Sequence, residues 1–104
     1  MEFIETSLFT RCITVLLSDD EYADLQAVLA ENPQAGDLIP EGGGLRKIRW
    51  KAFGRGKRGG IRVIYYCWSE ERLVMFYAYD KTEQKDLTSD QLKIFRQCVK
   101  GGAL

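Results

Sequence analysis

The sequence predicts an α+β fold, a mainly antiparallel sheet of about four strands with an N-terminal helical hairpin on one face and a C-terminal helix. Apolar residues recur at helical spacing before Asn32 and after Thr88. Between Leu45 and Tyr79, β-branched and aromatic residues fill runs that turn-forming residues separate. Both prolines and four of the glycines fall together between Pro33 and Gly44, which marks a loop feeding the sheet.

Each element has a local cause. Phe3–Thr6 reads as a short first strand, and from Ser7 to Leu17 a helix carries Leu8, Cys12, Val15 and Leu16 at helical spacing. Ser18-Asp19-Asp20-Glu21 is a capping box, since the serine hydroxyl can accept from the third following amide while Glu21 reaches back. The helix it opens places Tyr22, Leu25, Val28 and Leu29 on one face and stops before Asn32-Pro33, because the residue preceding proline is pushed out of the helical region. Strands follow at Leu45–Lys51, Ile61–Trp68 and Leu73–Tyr79, the last two joined tightly through Ser69-Glu70-Glu71-Arg72. A second capping box, Thr88-Ser89-Asp90-Gln91, opens a helix bearing Leu92, Phe95 and Val99 until Gly101 ends it.

With 104 residues the chain has room for one domain, residues 1–104, and one core. No apolar run approaches the roughly 18 residues of a membrane span, and Met1-Glu2-Phe3-Ile4-Glu5 lacks the basic start and apolar stretch of a secretory signal. The expectation is a cytoplasmic protein with no membrane partner. Cys12, Cys67 and Cys98 are widely separated and odd in number, unlike a disulfide framework or a paired zinc motif. Histidine is absent, so chemistry must rest on Lys, Arg, Tyr, Asp or Glu, with no metal and no cofactor expected.

The net charge of zero hides a segregation. Residues 1–41 hold nine acids against Arg11 alone, whereas Gly42–Ser69 hold eight bases and no acid. A protein divided in this way has a field with two poles, and a polyanion meets the positive one.

Strand alternation puts Lys47, Arg49 and Lys51 on one face and Arg46, Ile48 and Trp50 on the other. On the next strand Arg62 belongs with Ile64, Tyr66 and Trp68, while Val63, Tyr65 and Cys67 suit a core under the helical hairpin. If the register aligns Arg62 with the basic ladder, four cations converge, an arrangement that an anion or a catalytic demand must compensate. Solvated surface charge is the plain alternative, and the absence of any acid in the segment argues against it. The stretch Gly54-Arg55-Gly56-Lys57-Arg58-Gly59-Gly60 suits a phosphate-gripping loop, with Arg55, Lys57 and Arg58 supplying the charge, although it is not a P-loop. Tyr79 ends its strand beside Asp80-Lys81, where a phenol or an ammonium can exchange protons with a substrate. Lys81 and Lys85 share a face if the following turn is helical, with Asp80, Glu83 and Asp86 placed to position them.

Three runs together carry a resemblance over nearly the whole chain: Gly43-Gly44-Leu45-Arg46-Lys47-Ile48-Arg49, then Gly56-Lys57-Arg58-Gly59-Gly60-Ile61-Arg62-Val63-Ile64-Tyr65-Tyr66, then Tyr79-Asp80-Lys81-Thr82-Glu83 with Asp86-Leu87. They resemble the HigB-type branch of the RelE/ParE toxin superfamily. The resemblance implies a small RelE-like fold with a concave active face left open opposite the hairpin. It implies a type II toxin that enters the ribosomal A site and cleaves mRNA there, the ribose 2′-hydroxyl attacking the adjacent phosphate without metal. It also implies a cognate antitoxin, in this branch typically of the helix-turn-helix HigA type. Carried over, the basic strand of such toxins corresponds to Lys47, Arg49 and Lys51, and the arginine opening the next strand to Arg62. Arg62 then stabilises phosphate charge and a lysine takes part in proton transfer. Where several RelE toxins carry a catalytic arginine and a tyrosine, this chain has Thr82 and Thr88, so Tyr79 and Lys81 stand in as acid and base, with Lys85 a further RNA contact. A ParE-like gyrase inhibitor shares the fold but generally lacks the convergent basic face, and a non-catalytic RNA-binding module shares the charge but leaves messages uncut.

Overall fold

A computed structural model describes residues 1–52 and 60–101. Its elements are β1 (Glu2–Glu5), α1 (Ser7–Leu16), α2 (Asp19–Glu31), β2 (Asp37–Leu38), β3 (Leu45–Trp50), β4 (Ile61–Ser69), β5 (Arg72–Asp80) and α3 (Ser89–Gly101). The strands form one sheet in the order β1-β5-β4-β3-β2. β1 runs parallel to β5 and every other pairing is antiparallel.

The helices begin where their caps place them. The Thr6 hydroxyl accepts from the Phe9 amide at 3.0 Å and donates to the Phe76 carbonyl at 3.0 Å, so one side chain both starts α1 and ties it to β5. Both capping boxes form: Ser18 and Glu21 exchange bonds of 3.0 and 3.1 Å at α2, as do Thr88 and Gln91 at α3. Each such cap contributes about 1 kcal/mol.

Two apolar cores sandwich the sheet. Phe9, Ile13, Leu17, Leu25 and Leu29 of the helical hairpin pack on Ile48, Val63, Tyr65, Leu73 and Met75. On the opposite face Phe95 of α3 packs with Leu45, Ile64, Val74, Phe76 and Tyr79, flanked by Leu92 and Val99. The alternation read from β3 and β4 therefore holds, with Ile48, Val63 and Tyr65 under the hairpin and Ile64 on the other side.

Two expectations change, and a third feature lies outside what was expected. A fifth strand, β2, forms inside the Pro33–Gly44 loop, because two residues pairing with Lys47 and Arg46 are too short to show a periodicity. The face opposite the hairpin is not left open: α3 covers much of it, since its own apolar stripe needs a partner and the hairpin already fills the other side. A bulge in β5 also shifts the register, so that Ile64 pairs with Tyr77 while Tyr65 pairs with Met75 and Phe76 is the extra residue. Strict alternation from Leu73 and Met75 would send Tyr77 and Tyr79 under the hairpin; the bulge sends them to the face of Ile64 and α3.

Gly60 closes the approach to β4 at φ +70°, and a Cβ there would lie 2.6 Å from the Trp50 carbonyl oxygen. Its own carbonyl accepts from the Lys81 amide at 3.2 Å, which locks the start of β4 to the end of β5. Gly60→Ala is expected to cost about 1–3 kcal/mol in urea denaturation; an unchanged midpoint would show that this junction bears no strain.

Candidate functional site

The pairing of three strands aligns the candidate side chains in rows. Arg49 on β3 is the Cα partner of Arg62 on β4, which is the partner of Tyr79 on β5. Directly opposed residues share a face with their Cβ atoms about 5 Å apart. One step earlier along the strands Lys47, Ile64 and Tyr77 make a parallel row, with Asp37 of β2 opposite Lys47. One step later the Lys81 amide joins the Gly60 carbonyl. Two arginines and a tyrosine thus lie side by side at the end of the sheet, flanked by Lys47 on one side and Lys81 on the other.

Burial divides the row. Arg49 is exposed and Lys47 half-buried. Arg62 is only 7% exposed, so its guanidinium is largely withdrawn from water rather than displayed on an open surface. Its Nη1 donates to the Ile61 carbonyl at 3.2 Å. Arginine keeps its charge when buried, so the row carries fixed positive potential.

Tyr79 is 4% exposed, and its buried hydroxyl closes no hydrogen bond of standard geometry among the described residues. A buried hydroxyl without a partner costs about 1–3 kcal/mol. Burial pushes the phenol up to about 12, with the Asp86 charge adding to the rise and Arg62 opposing it. The group is accordingly a neutral donor at physiological pH. Its ring stacks on Tyr77 at 5.6 Å, and Tyr77 packs in turn on Phe95 at 5.8 Å, so α3 braces the site from behind.

The segment between β5 and α3 brings a carboxylate to this place. Asp86 Oδ1 accepts from the Leu87 amide at 2.8 Å and faces Lys47 Nζ at 3.4 Å. Desolvation raises the Asp86 carboxyl, but the Leu87 amide, Lys47 and Tyr79 together outweigh it and hold the group below the ordinary carboxylate range. Gln84 fixes the segment: it accepts from the Tyr77 hydroxyl at 2.9 Å and donates to the Asp86 carbonyl at 2.9 Å and to Gln91 Oε1 at 2.7 Å. Gln91 also caps α3, so helix start, segment and sheet form one hydrogen-bonded unit.

Of the residues expected from sequence, Arg49, Arg62 and Tyr79 come together and Lys47 stands beside them. Lys51 does not join: β3 ends at Trp50, and Lys51 lines a cavity of about 360 Å³ with Trp50, Glu21 and Asp24 next to α2. Lys81 and Lys85 are exposed, and the turn between them is not helical, so they share no helix face. Asp80 accepts from the Thr82 amide and hydroxyl at 2.9 and 2.8 Å instead of positioning a lysine. Arg55, Lys57 and Arg58 lie outside the described residues. Sequence reasoning missed Gln84 and gave Asp86 the wrong partner. The Asp86-Leu87 pair in the third resemblance run was the available signal. Among the described residues no group of three or more Cys, Asp or Glu side chains gathers in a form that could hold a metal ion, and no helix is long and apolar enough to cross a membrane.

Fold and site together define a small α+β protein whose sheet end carries a cationic row beside a buried phenol. The family model for the RelE toxin of the RelE/RelB toxin–antitoxin system matches residues 5–103, nearly the whole chain. The protein belongs to the RelE toxin family. It is the toxin of a toxin–antitoxin pair, with an antitoxin as its partner.

Tyr79→Phe removes a hydroxyl that lies against Asp86 but closes no hydrogen bond of standard geometry among the described residues. The variant is expected to match the parent in urea denaturation or exceed it by up to about 1 kcal/mol. A loss larger than that would mean that the hydroxyl supports the fold.

Proposed function

We propose that this toxin is a HigB-type, ribosome-dependent mRNA endonuclease of the cytoplasm. It acts in the ribosomal A site and is neutralised by an antitoxin of the helix-turn-helix HigA type. The observation that carries the reading is the Arg49–Arg62–Tyr79 row, in which two like charges face each other across strands beside a buried hydroxyl that closes no hydrogen bond of standard geometry among the described residues. Opposed like charges destabilise a sheet, and a bound anion offsets that cost. A phosphodiester supplies one.

Cleavage by the 2′-hydroxyl needs little beyond position and charge. The attacking oxygen loses a proton, the phosphorus passes through a dianionic five-coordinate state, and the leaving 5′ oxygen gains a proton. Arg49 and Arg62 offset the growing charge on the non-bridging oxygens, and the Tyr79 hydroxyl donates to one of them. Lys47 adds charge on one flank. Lys81, exposed on the other flank, donates to the leaving oxygen. Arg55, Lys57, Arg58 and Lys85 bind neighbouring phosphates. The message provides its own nucleophile, so no cofactor enters these steps.

Arg62→Ala should lower single-turnover cleavage of a ribosome-bound message by about a hundredfold or more, and exposed Arg49→Ala by about tenfold, with antitoxin binding as the check on folding. Mapping of mRNA ends after brief induction should show cuts within translated frames that disappear in Arg62→Ala. Broken chromosomal DNA with intact messages would instead identify a gyrase poison. Salt-sensitive RNA binding without cuts would identify a binding module.

A further inference from the structure

Lys47 Nζ and the Leu87 amide both engage Oδ1 of Asp86, which lies against Tyr79 of the Arg49–Arg62–Tyr79 row, and from this the geometry points to Asp86 as the general base that takes the 2′-hydroxyl proton. The inference rests on the endonuclease reading and names a residue to which that reading gives no role.

Three observations carry it. First, the carboxylate is held but accessible. One oxygen is fixed by two donors, yet the side chain is 70% exposed, so an incoming ribose can reach the carboxylate. Second, its position is built rather than incidental. Gln84 clamps the Asp86 carbonyl to the Tyr77 hydroxyl and to the cap of α3, an investment of hydrogen bonds in a segment with no apolar core of its own. Third, Asp86 and Lys81 flank the row on opposite sides. Lys47, the partner of Asp86, stands one row before it, and the Lys81 backbone joins Gly60 one step after it. An in-line displacement needs its proton acceptor and donor on opposite sides of the phosphorus, and this order supplies them.

The step balances without a further reactant. The Asp86 carboxylate takes the 2′ proton as the 2′ oxygen bonds to phosphorus. The bond from phosphorus to the 5′ oxygen breaks, and that oxygen takes a proton from Lys81. The products are a 2′,3′-cyclic phosphate and a 5′-hydroxyl, after which Asp86 returns its proton to water and Lys81 regains one. Lys47 already donates to Asp86, so it acts as a positioning cation for the base rather than as the base.

The test is single-turnover cleavage of programmed ribosomes at saturating toxin, with the parent protein run alongside. Asp86→Asn should retain antitoxin and ribosome binding and lose about 10²–10⁴ in cleavage rate, the range for removal of a positioned acid or base. Asp86→Ala should lose as much and recover with added formate in a saturable manner, since a small free carboxylate can occupy the vacated place. A substrate with sulfur in place of the scissile 5′ oxygen needs no acid, so it should rescue Lys81→Ala and leave Asp86→Asn impaired. Asp86→Asn cutting within threefold of the parent overturns the assignment. Failure of formate rescue, or rescue of Asp86→Asn by the sulfur substrate, also overturns it, the first leaving a purely structural role and the second an acid role. A parent that cuts no message refutes the endonuclease reading itself, a result separable from all of these.

Discussion

Two arginines opposed across neighbouring strands, next to a buried phenol, form the constraint around which the rest of the molecule is arranged. A sheet left to optimise its own stability would pair Arg49 with a carboxylate or an apolar side chain. Stability for the row has to come from elsewhere, and two cores supply it. The hairpin buries Phe9, Ile13, Leu25 and Leu29 completely or nearly so, and α3 seals the other side with Phe95. Each fully buried aliphatic or aromatic side chain is worth about 1.5–3 kcal/mol, so a few of them outweigh the local penalty of the site.

The bulge at Phe76 links this packing to the chemistry. Without it Tyr79 would fill the hairpin core and Arg62 would face a different neighbour. One extra residue in β5 reverses the faces of everything after it, and the strand that contributes Met75 to one core contributes Tyr77 and Tyr79 to the other. Bulges that re-aim side chains next to functional sites have the same logic elsewhere. Here the stack of Tyr79 on Tyr77 and of Tyr77 on Phe95 shows that the re-aimed residues are then packed into place.

What the sequence made legible follows from the range of each interaction. Capping boxes at Ser18 and Thr88 act over three residues, and both were readable. The faces of β3 and β4 follow from alternation within a strand, which put Ile48, Val63 and Tyr65 on one side and Arg49 and Arg62 on the other. β2 was not readable, because a pair of residues held only by its neighbour has no pattern of its own. The bulge was not readable either, since Phe76 and Tyr77 are equally good strand residues on either face. Neither was the partner of Asp86: Lys47 lies 39 positions away, and only the closed sheet brings the two together. The burial of Arg62 was hidden for a related reason, because an arginine in a basic run looks solvated until the elements that cover it are placed.

The neutral total charge also has a structural account. Asp19, Asp20 and Asp24 lie exposed on α2, on the side of the sheet away from the Arg49–Arg62 row. These three acids and the Arg49–Arg62 row therefore lie on opposite faces of a body whose principal extents are 37 × 29 × 23 Å. At physiological ionic strength a charge is felt over about 8 Å, so each side presents nearly its own sign to a partner at contact. A field divided in this way exerts a torque as well as an attraction on an approaching polyanion and favours the orientation that turns the cationic row toward it. Neutrality in total is thus compatible with strong local attraction, and it weakens unspecific adhesion of the acidic side to the same polyanion. The separation of Asp19, Asp20 and Asp24 from the row follows from the strand alternation that puts Arg49 and Arg62 on the face away from the hairpin.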